Sequence, residues 1–250
     1  MASPKPHLMV ALDMASLDRM RELVDTLDEK VEWYKVGKQL FTRFGPEPVK
    51  ILKARGRNVF LDLKFHDIPN TVAHAVQSAA DIGADMVNVH AGGGDAMLRA
   101  AARAGTDNGI LVVAVTVLTS LDDEALRAAG IHDTAEKQVV RLARLAQNAG
   151  LPGVVCSGRE IPLLRQECGP KFQLVVPGIR PAGTAHGDQK RVMTPADAAR
   201  QGADYIVVGR PIREADDPLR AAEDVLKELK IAGNRGWKRA PGSSHGQQTG

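Results

Sequence analysis

The chain has 250 residues, 44% hydrophobic and 25% charged, close to the globular average, which excludes a disordered or fibrous protein and supplies enough apolar residues for a sizeable core. That length fits two ordinary domains or one large α/β barrel. The formal net charge of +3 is local: Arg235, Lys238 and Arg239 stand in residues 231–250 without an acid, leaving residues 1–230 with 30 basic against 30 acidic side chains, a balance that argues against a nucleic-acid partner.

The N-terminal stretch MASPKPHLMVALD carries one lysine and a five-residue apolar run before Asp13, too short for the apolar core of a secretion signal. Eight short apolar runs then follow one another: residues 8–12 (LMVAL), 34–37 (YKVG), 59–64 (VFLDLK), 86–89 (MVNV), 110–115 (ILVVAV), 153–157 (GVVCS), 173–177 (QLVVP) and 205–209 (YIVVG). Between them Ala, Leu, Arg and Glu recur at three- and four-residue spacing, as in residues 16–30, 71–84, 94–105, 134–150 and 217–229, the period of helices with one apolar face. Near-continuous Val, Ile and Leu strands belong where both faces of a sheet are covered, and an eightfold strand-helix repeat predicts an α/β fold, a single-domain (β/α)8 TIM barrel over residues 1–230.

An open doubly wound sheet is the competing architecture. Polar residues at successive strand ends, Asp13, Lys35, Lys64, His90, Thr116, Ser157, Arg180 and Arg210, favour the barrel, whose sites are built there. No Gly-rich dinucleotide fingerprint follows the first strand. No run approaches the roughly 18 apolar residues of a membrane span, so no membrane partner is expected. Cys156 and Cys168 form neither a CxxC nor a Cys/His zinc spacing and are expected to be buried, inert thiols in a reducing cytoplasm. The Gly-rich, aperiodic residues 231–250 are expected to form a disordered basic tail.

The stretch FLDLKFHDIPNT, residues 60–71, carries the chemistry. Alternate side chains of a strand share a face, so Asp62 and Lys64 point one way, into the barrel, while Leu61, Leu63 and Phe65 point towards the helices. A buried ion pair kept for stability alone is a poor choice, because apolar replacement is often neutral or stabilising. Asp67 follows the strand end and Pro69 suits the first turn of the next helix, which places DIPNT on the C-terminal face of the barrel. The resulting acid-base-acid cluster is hostile to another anion and suits a site that expels a carboxylate and then supplies a proton. His66 and His90 have no carboxylate or cysteine cluster at ligand spacing, so structural roles are expected for them and no metal site. Neither is any cofactor motif present.

At this point the chain resembles the orotidine 5′-monophosphate decarboxylase family, which catalyses the last step of UMP synthesis. The resemblance rests on VALD (10–13), YKVGKQLF (34–41), FLDLKFHDIPNT (60–71), VTVLTS (115–120), VVPGIRP (175–181), DQKRVMTP (188–195) and DYIVVGRPI (204–212), in family order. It implies cofactor-free decarboxylation, with Lys64 as the proton donor to C6 of the pyrimidine. Lys35, Asp62 and Asp67 complete the charged network, Asp67 being supplied by the other subunit of a homodimer with shared active sites. Asp13 and Lys35 would hold the ribose hydroxyls, joined by Thr71 from the partner chain. Thr119 and Ser120 would read the pyrimidine edge, although a Thr-Ser pair by itself is more often a helix cap. Arg180, Gln189, Gly209 and Arg210 would bind the phosphate, with residues 180–189 as the mobile loop, in agreement with the usual barrel phosphate site after strands 7 and 8. Gln39 departs from the family, whose members often carry Glu there.

Two other readings compete. A magnesium-dependent 3-keto-gulonate-6-phosphate decarboxylase or hexulose-6-phosphate synthase of the same suprafamily shares the DxKxxD pattern, but Lys35, Thr119, Ser120 and the DQKR block suit a nucleotide. A non-catalytic nucleotide-phosphate-binding barrel would have no use for the full set of Lys35, Asp62, Lys64 and Asp67.

Overall fold

The computed structural model describes residues 6–181 and 193–233. All eight anticipated strands form: β1 (His7–Ala11), β2 (Trp33–Gly37), β3 (Asn58–Phe65), β4 (Met86–His90), β5 (Leu111–Val115), β6 (Gly153–Val155), β7 (Gln173–Val176) and β8 (Tyr205–Val208). Each is parallel to the next, and β8 closes onto β1. The helices are α1 (Leu17–Leu27), α2 (Lys38–Phe44), α3 (Glu47–Ala54), α4 (Pro69–Asp81), α5 (Gly94–Asp107), α6 (Asp123–Ala128), α7 (Ala135–Asn148), α8 (Ile161–Cys168), α9 (Pro195–Gln201), α10 (Arg210–Arg213) and α11 (Pro218–Gly233). This is the (β/α)8 barrel that the strand count predicts. α11 continues past the expected tail boundary at residue 230, and residues 234–250 lie outside the described residues. Among the described residues no helix is long and apolar enough to cross a membrane.

Alternation along the strands sorts the apolar residues into two cores. Met9, Ala11, Phe60, Met86, Val113, Val175 and Val207 fill the barrel interior, with Trp33 and Tyr205 packed edge to face at 5.4 Å beside them. The opposite strand faces, including Val10, Val36, Leu61, Val87 and Val208, meet the helices in a continuous outer core. Cys156 and Cys168 are free thiols within it, and burial pushes both up. Local signals set the helix starts. Pro69 opens α4, and Thr134 caps α7 by accepting the Lys137 N–H at 3.3 Å.

Two carboxylates pin the N-terminal ends of the strands in the same manner. Asp85, just before β4, accepts the Val59 N–H of β3 at 2.7 Å and pairs with Lys53 of α3 at 2.7 Å. Asp204, just before β8, accepts the Leu174 N–H of β7 at 2.7 Å and pairs with Arg165 of α8 at 2.6 Å. Arg165 also donates to the Gly202 carbonyl from Nε at 2.9 Å and from Nη2 at 2.6 Å. Each carboxylate thus ties a helix, the strand that follows it and the next strand together.

Removing Asp204 orphans a backbone N–H and leaves the largely buried Arg165 without its counter-charge. Asp204→Ala should cost about 2–4 kcal/mol, whereas Arg21→Ala, which breaks an exposed pair on α1, should stay within about 0.5 kcal/mol. Urea unfolding of both variants checks this, and equal losses would contradict the role given to Asp204.

Candidate active site

The C-terminal ends of the eight parallel strands form one rim, and a row of charges crosses it. Lys35, on β2, is 9% exposed, and its Nζ lies 2.9 Å from Asp13 Oδ1 and 3.2 Å from Asp62 Oδ2. The other Asp62 oxygen pairs with Lys64 Nζ and accepts from Asn88 Nδ2 at 2.7 Å. Asp13, Lys35, Asp62 and Lys64 therefore form one chain of alternating charge across β1, β2 and β3. Gly37 makes room for it. A methyl group at that position would stand 2.6 Å from Asp13 Oδ1 and 3.1 Å from Lys35 Nζ.

The electrostatics follow from burial and pairing. Burial by itself pushes the Asp62 carboxyl up, but the ammonium groups of Lys35 and Lys64, with hydrogen bonds from Lys64 and Asn88, outweigh it and hold the pKa down at about 2. Burial likewise pulls Lys35 down, and the carboxylates of Asp62 and Asp13 reverse that and raise it above the ordinary lysine value. The row is ionised at neutral pH at both residues.

β3 departs from a regular strand at the functional residues. Leu61 pairs with Val87 and Phe65 with Val89, so four steps on β3 face two on β4. The extra residues form a bulge, and Lys64 within it takes a φ of +56°, the one positive φ at a non-glycine among the described residues. That conformation costs about 1–2 kcal/mol for a residue with a Cβ. Asp62 and Lys64 still face inward while Leu61, Leu63 and Phe65 pack against the outer core, as the alternation predicts. The sequence alternation thus predicts the faces but not the bulge, which interrupts the ladder to β4 at Asp62, Leu63 and Lys64.

Sequence-predicted residues fall into four groups. Asp13, Lys35, Asp62 and Lys64 come together with measured contacts. Thr119 and Ser120 stand in the turn after β5, Arg180 after β7, and Gly209 and Arg210 after β8, all on the same rim. The helix that follows Thr119 and Ser120 is capped by Asp122, which accepts the Ala125 N–H at 3.0 Å, so the capping role weighed for that pair is taken elsewhere. Arg180 is 8% exposed, donates its backbone N–H to Met193 O at 2.9 Å, and its buried Nε has no hydrogen-bond partner among the described residues. Gln189 and most of the 180–189 loop lie outside the described residues.

Asp67 and Thr71 are not brought to the charged row. Residues 66–71 are continuously exposed, Ile68 at 67%, and Asp67 Oδ1 accepts the Ile68 N–H at 2.7 Å, with no ion pair among the described residues. Asn88 was not singled out in the sequence, although an Asn amid the apolar residues of β4 is a signal, since Asn is depleted in strands. His66 and His90 stand at the same rim with ring centroids 5.5 Å apart. Burial and the neighbouring His66 and Lys64 push His90 down. Among the described residues no three His, Cys, Asp or Glu side chains gather as a metal-binding set.

Residues 6–225 match the model of the "Orotidine 5'-phosphate decarboxylase / HUMPS family". The chain is 52% identical over 235 residues to the orotidine 5′-phosphate decarboxylase of Moorella thermoacetica, covering 91% of this chain and 93% of that one. It is 53% identical over 226 residues to that of Pectobacterium atrosepticum, covering 89% and 91%. Among solved structures, the orotidine 5′-phosphate decarboxylase of Lactobacillus acidophilus superposes with a TM-score of 0.80 at 37% identity, over 90% of this chain and 99% of that one.

The low pKa of Asp62 has a consequence for stability. A carboxyl lowered from 3.8 to about 2 on folding contributes about 2 kcal/mol that is fully present above the unfolded value and is lost as pH falls through the folded one. Urea titrations between pH 5 and pH 2 should show a shallower decline in Asp62→Asn than in the unsubstituted protein. Parallel declines would mean that Asp62 is not held ionised in the fold.

Proposed function

The chain belongs to the orotidine 5′-phosphate decarboxylase / HUMPS family, and from that membership we propose that it converts orotidine 5′-monophosphate to UMP and CO2, the last step of de novo pyrimidine nucleotide synthesis, as a cytoplasmic homodimer. The observation that carries the reading is the row of buried Lys35 and partly buried Asp62 and Lys64, with Asp62 held ionised between two ammonium groups. A cytoplasmic setting is supported by the two free, buried thiols.

In this reading the bond between C6 and the carboxylate carbon breaks, its electron pair stays on C6, and CO2 leaves. The Lys64 ammonium meets the developing charge and passes a proton to C6; the lysine then regains a proton from solvent. Two unit charges about 4 Å apart interact by roughly 4 kcal/mol at an effective dielectric of 20, so an ammonium already oriented towards C6 stabilises the carbanion without reorganising at the moment of reaction. Asp62 keeps that ammonium in place and sets a fixed negative charge near the substrate carboxylate, whose own charge passes to C6 as neutral CO2 leaves. The protein's charges do this work without a metal or an organic electron sink.

The remaining residues bind. Asp13 and Lys35 hold the ribose hydroxyls, and Thr119 and Ser120 read the pyrimidine edge. Arg180, Gln189, Gly209 and Arg210 take the phosphate, a role supported for Arg180 by its buried Nε with no partner among the described residues. The partner subunit's Asp67 and the partner subunit's Thr71 complete each site. Support for that sharing comes from the exposed 66–71 stretch with its apolar Ile68, and from an Asp67 carboxylate that pairs with no cation among the described residues of its own chain.

One experiment tests chemistry and sharing together, reading CO2 release from orotidine 5′-monophosphate in excess chelator. Lys64→Ala should lose more than the roughly 10²–10⁴-fold typical of general acid catalysis, because the same ammonium also stabilises the carbanion; Asp67→Ala should also be impaired. Mixing the two variants under subunit exchange gives heterodimers with one doubly damaged and one intact site, so roughly a quarter of the original activity should return if exchange is random. A Lys64→Ala protein with a tenth of the original kcat would remove Lys64 from the chemistry. Confirmed heterodimers without recovered activity would return Asp67 to its own chain's site.

A further inference from the structure

Asn88 sits opposite the bulge of β3. Its neighbours Val87 and Val89 pair with Leu61 and Phe65, so Asn88 faces Asp62, Leu63 and Lys64, the stretch where the backbone ladder is interrupted. The residue is 1% exposed. Its side chain does what the ladder cannot: Oδ1 accepts the Lys64 N–H at 2.8 Å, and Nδ2 donates to Asp62 Oδ1 at 2.7 Å. The orientation of the amide is dictated by its partners, because a backbone N–H can only donate and an ionised carboxylate can only accept.

We infer that Asn88 is a positioning residue for the decarboxylation: by bridging the Lys64 backbone and the Asp62 carboxylate, it holds the left-handed bulge that aims the Lys64 ammonium into the site. The inference rests on the proposed role of Lys64. Few side chains satisfy both demands at this length. An aspartate places an acceptor against an acceptor, a valine offers neither group, and a glutamine is one methylene longer. The strained φ of Lys64 has to be held by its surroundings, and such strain clusters where geometry is used. Asn88 is the side chain that receives that residue's N–H.

The test compares Asn88→Val and Asn88→Asp with the unsubstituted protein and with Lys64→Ala, measuring kcat, KM, UMP affinity and Tm from pH 5 to pH 8. Asn88→Val should lose on the order of 10²-fold in kcat, the scale of a 1 Å misplacement of a reacting group, with KM and UMP affinity changed only a few-fold. Asn88→Asp gives a signature that a merely structural role would not produce. When the new carboxyl is protonated it again offers one donor to Asp62 and one acceptor to the Lys64 N–H, so its kcat relative to the unsubstituted protein should rise about tenfold or more as pH falls from 8 to 5. If Asn88→Val does not fold, the Asn88→Asp ratio decides by itself.

A kcat for Asn88→Val within twofold of the unsubstituted protein, a parallel loss of kcat and UMP affinity, or an Asn88→Asp ratio that stays flat with pH would each overturn the inference. Should any of these accompany an inactive Lys64→Ala, the inference fails while the function stands. An active Lys64→Ala would overturn the reading on which it rests.

Discussion

Asp62 is a carboxylate taken almost wholly out of water, and an unpaired charge in that position costs several kcal/mol. Everything around it answers that constraint. Lys35 and Lys64 neutralise it from two sides, Asn88 donates a further hydrogen bond, and the result is a group held ionised with a pKa of about 2. Lys35 in turn is too buried to stand beside Asp62 alone and takes a second carboxylate, Asp13, whose approach requires the missing side chain of Gly37. One buried charge thus accounts for residues just past β1 and on β2, β3 and β4.

The barrel makes this arrangement possible because neighbouring parallel strands deliver side chains to one rim at fixed spacing. A regular β3 would still present Asp62 and Lys64 on one face, but its ladder to β4 would leave no place for the Asn88 amide. The bulge and the positive φ of Lys64 supply that place, at a cost borne by the two well-packed cores and by the pins at the opposite end of the strands. Stability gathered at the N-terminal ends of the strands is compatible with strain at the C-terminal ends, where the proposed decarboxylation would proceed. Under the proposed function, an ionised carboxylate between two ammonium groups suits a substrate whose carboxylate charge passes to carbon and is then neutralised by a proton.

Much of this was legible in the sequence, for identifiable reasons. Strands buried on both faces read as apolar runs, so all eight were visible, and period-two alternation put Asp62 and Lys64 on the inner face. Short helices such as α6 and α8 were harder to see: with 6 and 8 residues, they offer hardly two turns of periodicity. The bulge was invisible because an interrupted register is a relation between two strands, and nothing in FLDLKF announces it. Asn88 was passed over for the same reason. Its importance lies in facing Asp62 and Lys64 across a strand boundary, a contact between positions 26 and 24 residues apart. The residue pattern put Asp67 into the charged cluster of its own chain, from which the structure leaves it exposed; only the family resemblance implied that Asp67 and Thr71 act from a partner subunit.

Under the proposed function the Asp62 clamp presents the Lys64 ammonium to the carbon that loses CO2. A crystal structure of the protein with bound UMP tests it most directly. Lys64 Nζ should lie within about 3–3.5 Å of pyrimidine C6, the range of a near-attack arrangement, with the Asn88 amide still bridging Asp62 and the Lys64 N–H. A pyrimidine ring seated away from Lys64, or a Lys64 side chain turned out of the site while Asp62 remains paired with Lys35, would contradict it.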